Sequence, residues 1–89
     1  MPRVNVIQSD EGFTVEVLGR TGLRYTQGDH SVRVDSEVVA EPTGLVVYAR
    51  TIEKWEVPDG TSISEITRQT IISNIREAFR FRGFSIEVV

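Results

Sequence analysis

The sequence predicts an α+β domain: a mainly antiparallel sheet of about five to six strands with one helix from the C-terminal half packed on one face, in the order β-β-β-β-β-α-β. Three observations carry this. Short runs that alternate apolar and polar residues, separated by glycine-bearing turns, fill the first half of the chain. A single stretch has helical period, with Ile71, Ile72, Ile75, Ala78 and Phe79 inside about 120° of arc, the stripe of a helix packed on a sheet. Beyond it Phe84, Ile86 and Val88 alternate again as a final strand.

Taken in order, Val4 and Val6 share one strand face, and Phe13, Val15 and Val17 share another. Ser9-Asp10-Glu11-Gly12 lies between them, a hairpin loop in which Gly12 supplies any left-handed position. A turn from Gly19 to Gly22 leads into a strand at Leu23-Arg24-Tyr25, and Gln27-Gly28-Asp29-His30 is the next turn. Ser31 to Glu37 alternates, with Val32 and Val34 on one face. Glu41-Pro42-Thr43-Gly44 ends that strand, since proline cannot donate to a ladder. Leu45 to Ala49 is a continuous β-branched and aromatic run, the profile of a central strand covered on both faces.

Arg50 to Trp55 fits neither period. Ile52 and Trp55, three apart, admit a single helical turn as readily as more strand, and both are expected to pack against the core while Glu53 and Glu56 face away. Ser62 and Glu65 have capping-box spacing after Pro58-Asp59-Gly60, so the helix is expected to begin there. Gly83 follows as its C-terminal stop, with cations nearby that suit the helix dipole. Every glycine is expected at a turn.

Eighty-nine residues make a single domain. A chain of this size buries about two thirds of its unfolded surface and is stable by roughly 5–13 kcal/mol. The absence of cysteine excludes disulfides and thiolate metal ligands. The first ten residues lack the apolar segment of a signal peptide and no stretch is long enough to span a bilayer, so a soluble, cytoplasmic protein is expected. The formal charge of −3 is unevenly spread. Residues 29–59 hold seven acids (Asp29, Asp35, Glu37, Glu41, Glu53, Glu56, Asp59) against three bases, while residues 68–82 hold four arginines and Glu77. An acidic domain is a poor nucleic-acid binder, because phosphate contacts dominate that affinity, and a good partner for a basic protein.

The search for catalytic chemistry returns nothing with a recognisable pattern. His30 is the only histidine, which rules out a multi-histidine metal site, and its turn reads as solvated. Ser31, His30 and Asp35 make a triad on paper, but neighbours in a turn point apart. Asp35 and Glu37 share a strand face and are read as charges that protect a sheet edge from aggregation. The acids match no calcium-loop spacing, no glycine run cradles a phosphate, and Arg68, Arg76, Arg80 and Arg82 read as a solvated helix surface. No catalytic residue, cofactor or metal site is expected, and the protein is not expected to be an enzyme.

Several fragments together resemble a known family. Tyr25-Thr26-Gln27-Gly28-Asp29, Val34-Asp35-Ser36-Glu37, Val47-Tyr48, Ile52 through Trp55-Glu56-Val57-Pro58, and a helix ending Gly83-Phe84 occur in the order and spacing of the immunity protein 74 family of bacterial polymorphic-toxin systems. The resemblance runs from about Gly22 to Val89. The family pattern has Asp after the Trp and a double Pro, where this chain has Glu56 and Val57-Pro58. It implies a small cytoplasmic antidote that binds and blocks a cognate toxin domain, as in contact-dependent growth inhibition. Joined to the acidic skew, it points to a toxin with a basic cleft, such as a nuclease. The interface candidates are Tyr25, Asp29, Asp35, Glu37, Glu53, Trp55, Glu56 and Asp59, a charged rim with Tyr25 or Trp55 as aromatic anchor. Neither nucleic acid nor membrane is expected as a partner, and no small molecule. The alternatives are a non-catalytic interaction or homo-oligomeric assembly module using a sheet edge, and, with least support, a small hydrolase using the scattered carboxylates.

Overall fold

A computed structural model describes residues 6–38, 44–57, 60–81, 83 and 85–89. The strands are β1 (Val6–Gln8), β2 (Phe13–Val17), β3 (Gly22–Gln27), β4 (His30–Val38) and β5 (Gly44–Val47). A 3₁₀ turn at Ala49–Thr51, the helix α1 (Glu65–Phe81) and the strand β6 (Ser85–Val88) complete the chain. The expected order and class are those observed. The six strands lie side by side in sequence order, antiparallel except for the last pair, where β5 and β6 run parallel with α1 as the crossover.

Each hairpin is set by its turn. Between β3 and β4 the register Gln27↔His30 leaves two turn residues, and Gly28 (φ +62°) takes the first, where a II′ turn needs a left-handed residue. The wider β1–β2 turn is tied by Ser9 N–H to the Phe13 carbonyl at 2.9 Å and by Glu11 N–H to Ser9 Oγ at 2.9 Å. Not every glycine sits in a turn: Gly22 is buried within β3, opposite Asp35.

Alternation then sorts the side chains. Phe13, Val15, Leu23, Tyr25, Val32, Val34, Leu45, Val47 and Ile86 form the buried side of the sheet, and α1 covers it with the predicted stripe Ile71, Ile72, Ile75, Ala78 and Phe79. The other face has no helix over it. That corrects the expectation that Leu45–Ala49 is covered twice: Leu45 and Val47 are buried, whereas Val46 is only half-buried. It also corrects the reading of Asp35 and Glu37 as edge protectors. β4 is central, flanked by β3 and β5, and the edges are β1 and β6.

Tyr25 is central to the core. Its ring stacks on Phe13 (5.7 Å) and Trp55 (6.5 Å). Its hydroxyl donates to Gln27 Oε1 at 2.7 Å and accepts from Asn74 Nδ2 at 2.8 Å, which joins sheet to helix. Burial pushes the phenol above its ordinary value of 10.0, and the Asn74 hydrogen bond opposes this in part. The sign follows from proton binding: the folded state keeps the proton that the unfolded state releases. Stability from this group is full below pH 10.0 and is lost as pH rises through the elevated value. Thermal melts from pH 8 upward are expected to lose midpoint only in the alkaline limb, and Tyr25→Phe to flatten that loss.

Residues 53–55 pair with residues 61–63. Trp55 N–H donates to the Thr61 carbonyl at 2.9 Å, and Ile63 N–H donates to the Glu53 carbonyl at 2.8 Å. Lys54 and Ser62 form an isolated bridge. Because Ser62 is held there, the helix cap moves two residues along from the expected site. Ser64 caps the helix, its Oγ accepting from Thr67 N–H at 3.2 Å, and Glu65 becomes a first-turn carboxylate that suits the dipole. Ser64→Ala is expected to cost about 1 kcal/mol in a urea titration, and Ser62→Ala much less.

Candidate functional site

On β4, Val32, Val34 and Ser36 turn toward the helix, which leaves Arg33, Asp35 and Glu37 on the open face. This strand of nine residues is about 26 Å long, and the candidate acids are distributed along it. Asp29 lies in the turn at one end. Glu56 is fixed beside Ser31 by its backbone N–H, which donates to the Ser31 carbonyl at 2.8 Å. Asp35 and Glu37 occupy the other end, and Glu53 lies in the connecting segment with its carbonyl held by Ile63. All of these except half-buried Asp35 are exposed. Asp59 lies outside the described residues.

The far end of this seam is the most elaborated. Tyr48, next after β5, donates its hydroxyl to Glu37 Oε1 at 2.9 Å. That hydrogen bond and then the carboxylate's charge hold the phenol above its ordinary range, and Arg50, 5.8 Å from the ring centroid, pulls the other way. Thr51 accepts from Asp35 N–H at 3.0 Å and donates to the Tyr48 carbonyl at 2.7 Å, so β4 and the 3₁₀ turn are joined through one hydroxyl. Arg33 pairs with Asp35 and lies over Gly22, where any Cβ would stand 2.7 Å from Nη2. These residues bound a shallow groove of about 500 Å³ with Thr21 at its side.

Neither aromatic offered as an anchor lies at the surface, and Trp55 packs with Ile52 in the core as their spacing predicts. Tyr25 is 0% exposed and Trp55 9% exposed, both in the core. His30 also differs from its expected solvated state. It is half-buried, with Nδ1 2.9 Å from Asp29 Oδ1 and its ring edge-on to Trp55 at 5.0 Å. The neighbouring apolar ring is what makes a turn histidine worth burying. Conversely, Tyr48 was missed as a surface aromatic. The signal was present: it continues the alternation of Leu45 and Val47 toward the core by one residue on the opposite face.

Among the described residues no group of three or more His, Asp or Glu is placed to hold a metal ion. Nor, among these residues, is any helix long and apolar enough to cross a membrane. What remains is a strip of carboxylates on fixed backbone, with Arg33 paired to Asp35 among them and Arg50 beside the half-buried Tyr48 phenol, and no helix over it. The family model of immunity protein 74 matches residues 14–89. The chain belongs to the immunity protein 74 family. The match starts at Thr14, ahead of the fragments that carry the resemblance, and so takes in β2 from its second residue. No curated protein and no solved structure matches. As the family's name states, this immunity protein 74 member is an immunity protein, which implies a toxin as its protein partner. In it, the motif residues Asp35, Glu37 and Tyr48 meet in one groove although they come from two separate fragments of sequence.

Proposed function

We propose that this immunity protein neutralises its toxin by occlusion, setting the acidic seam along β4 against a basic cleft of the toxin. It works as a stoichiometric binder in the cytoplasm, with no catalytic step. The observation that carries the reading is the placement of Asp35 and Glu37 on the helix-free face of β4, with the exposed Asp29 and Glu56 held at the other end of the same strand. The backbone under these acids is hydrogen-bonded, so little order must be gained on binding. Opposite potentials speed encounter and set register, and a cleft that binds a phosphate backbone is the complementary surface. A nuclease is therefore the toxin class this surface fits.

The test is to co-express the chain with the toxin domain encoded by the adjacent gene. Co-purification, rescue of growth, and one-to-one suppression of nucleic-acid cleavage in vitro are the expected results. A toxin that kills at the same rate with or without this chain, and that forms no complex with it, would refute the reading. A complex that blocks some other activity would keep the immunity role and remove the nuclease.

A further inference from the structure

The free side of β6 has a consequence separate from the seam. β6 is an edge of the sheet. Val89 N–H donates to the Val47 carbonyl and Ala49 N–H donates to the Val89 carbonyl, each at 2.9 Å. Along a strand, alternate residues address the same neighbour, so Ser85, Glu87 and Val89 face β5. The N–H and C=O groups of Ile86 and Val88 therefore project from the other edge, where among the described residues no strand pairs with them. A groove of about 410 Å³ lies there, between this edge and α1, bounded by Arg76, Arg80, Ile86 and Val88 with Ser85 and Glu87.

Arg76 and Arg80 are both exposed. Arg76 has no ion-pair partner among the described residues, and Arg80 lies 3.7 Å from an exposed Glu77, a contact of little strength. Four residues of helix separate the two guanidinium-bearing positions by about 6 Å along the axis. Alternate residues of an extended strand are separated by about 6.8 Å. A strand laid against β6 thus presents same-face side chains at nearly the spacing of the two arginines.

We propose that this edge is a docking site for an extended acidic peptide segment, which adds to β6 as a seventh strand with two carboxylates on alternate residues facing Arg76 and Arg80. Main-chain hydrogen bonds to Ile86 and Val88 supply affinity, and the arginines select the acid. A second copy of this chain is the poorer occupant. Two-fold pairing along β6 sets the Arg76 and Arg80 pair of each copy beside that of the other.

The probe is a blocked hexapeptide of alternating Thr and Glu, titrated into the full chain and followed by backbone amide NMR. Saturable shifts at Ile86, Val88, Arg76 and Arg80 are expected. An alternating Thr and Lys peptide is expected to give none. Arg76→Gln with Arg80→Gln, both exposed and so expected to fold, should weaken binding by at least about tenfold. The inference fails if millimolar peptide leaves these amides unmoved, if the shifts lie on another surface, or if the double variant binds equally well. Light scattering that shows a dimer of the free chain, abolished by Val88→Pro in a protein that still folds, would also overturn it by assigning the edge to a second copy. Because no toxin enters the experiment, its failure leaves the immunity reading standing, and failure of that reading leaves this result intact.

Discussion

Replacing Trp55 with alanine is expected to lower folding stability by about 3–5 kcal/mol. The indole is 9% exposed, stacks on Tyr25 at 6.5 Å and takes the edge of His30 at 5.0 Å. Its removal opens a void beneath β3 and β4 at the point where the 52–63 segment closes on the sheet. In a domain stable by roughly 5–13 kcal/mol, that loss is a large share of the total. Because Trp55 is the only tryptophan, the urea titration is read by far-UV circular dichroism, which works equally in both proteins. An unchanged slope with a midpoint shift worth less than about 1 kcal/mol would show that the ring is not a core residue. Its neighbour Glu56, exposed and with only its backbone engaged, is expected to tolerate Gln with almost no change.

The second large effect is on binding. Glu37→Lys combined with Glu56→Lys is expected to weaken the toxin complex by at least about a hundredfold while changing stability by less than about 1 kcal/mol. Both side chains are exposed, so the folded state has little invested in their charge. Close charge pairs at interfaces are coupled by about 1.5–7 kcal/mol, and reversal turns each attraction into a repulsion. Glu37→Lys also breaks the Tyr48 hydrogen bond, which the milder Glu37→Gln keeps by leaving an acceptor in place. Asp10→Lys combined with Glu11→Lys, both exposed on the β1–β2 turn, is the control with the same change in net charge. Calorimetry at two salt concentrations separates the outcomes. Equal weakening by the control would reduce the effect to overall charge, and retained affinity in the double variant would place the interface away from the seam.

Much of the fold was legible because it depends on local period. The stripe from Ile71 to Phe79 needs only a helix to be read, and the alternation at Phe13 to Val17 needs only a strand. Position in the sheet is a non-local property. Asp35 and Glu37 alternate in the same way whether β4 is an edge or the centre, so their role as edge charges was a reasonable expectation that the topology overturns. The helix cap failed for a related reason. The local pattern favours Ser62, which has Glu65 three residues on, and the Lys54↔Ser62 bridge, which spans eight positions, withdraws it and leaves the cap to Ser64. For the candidate site, the exposed acids could be named from sequence but the anchor could not. Tyr25 and Trp55 are the aromatics beside the acidic stretches, yet alternation turns Tyr25 inward with Leu23, and the loop turns Trp55 inward with Ile52. Tyr48 meets Glu37 only once β4 and β5 are paired.

The pairing of β5 with β6 sets an order of assembly. Gln27 and His30 meet across a two-residue turn, whereas Gly44 and Ser85 meet across about 40 positions. Closing the longer loop costs roughly 2 kcal/mol more in chain entropy before any contact repays it. The β1–β4 meander is therefore expected to nucleate folding, with low φ-values along β6 and in the last turns of α1. The same ranking governs opening: β6 is expected to detach first, in sub-global fluctuations that spare the meander. Native-state hydrogen exchange should then rank the amides of β2 and β3 as the slowest and those of β6 among the fastest. The acidic strip on β4 belongs to the part of the chain that forms early and opens last, so it keeps its shape through fluctuations in which the other end of the sheet comes apart.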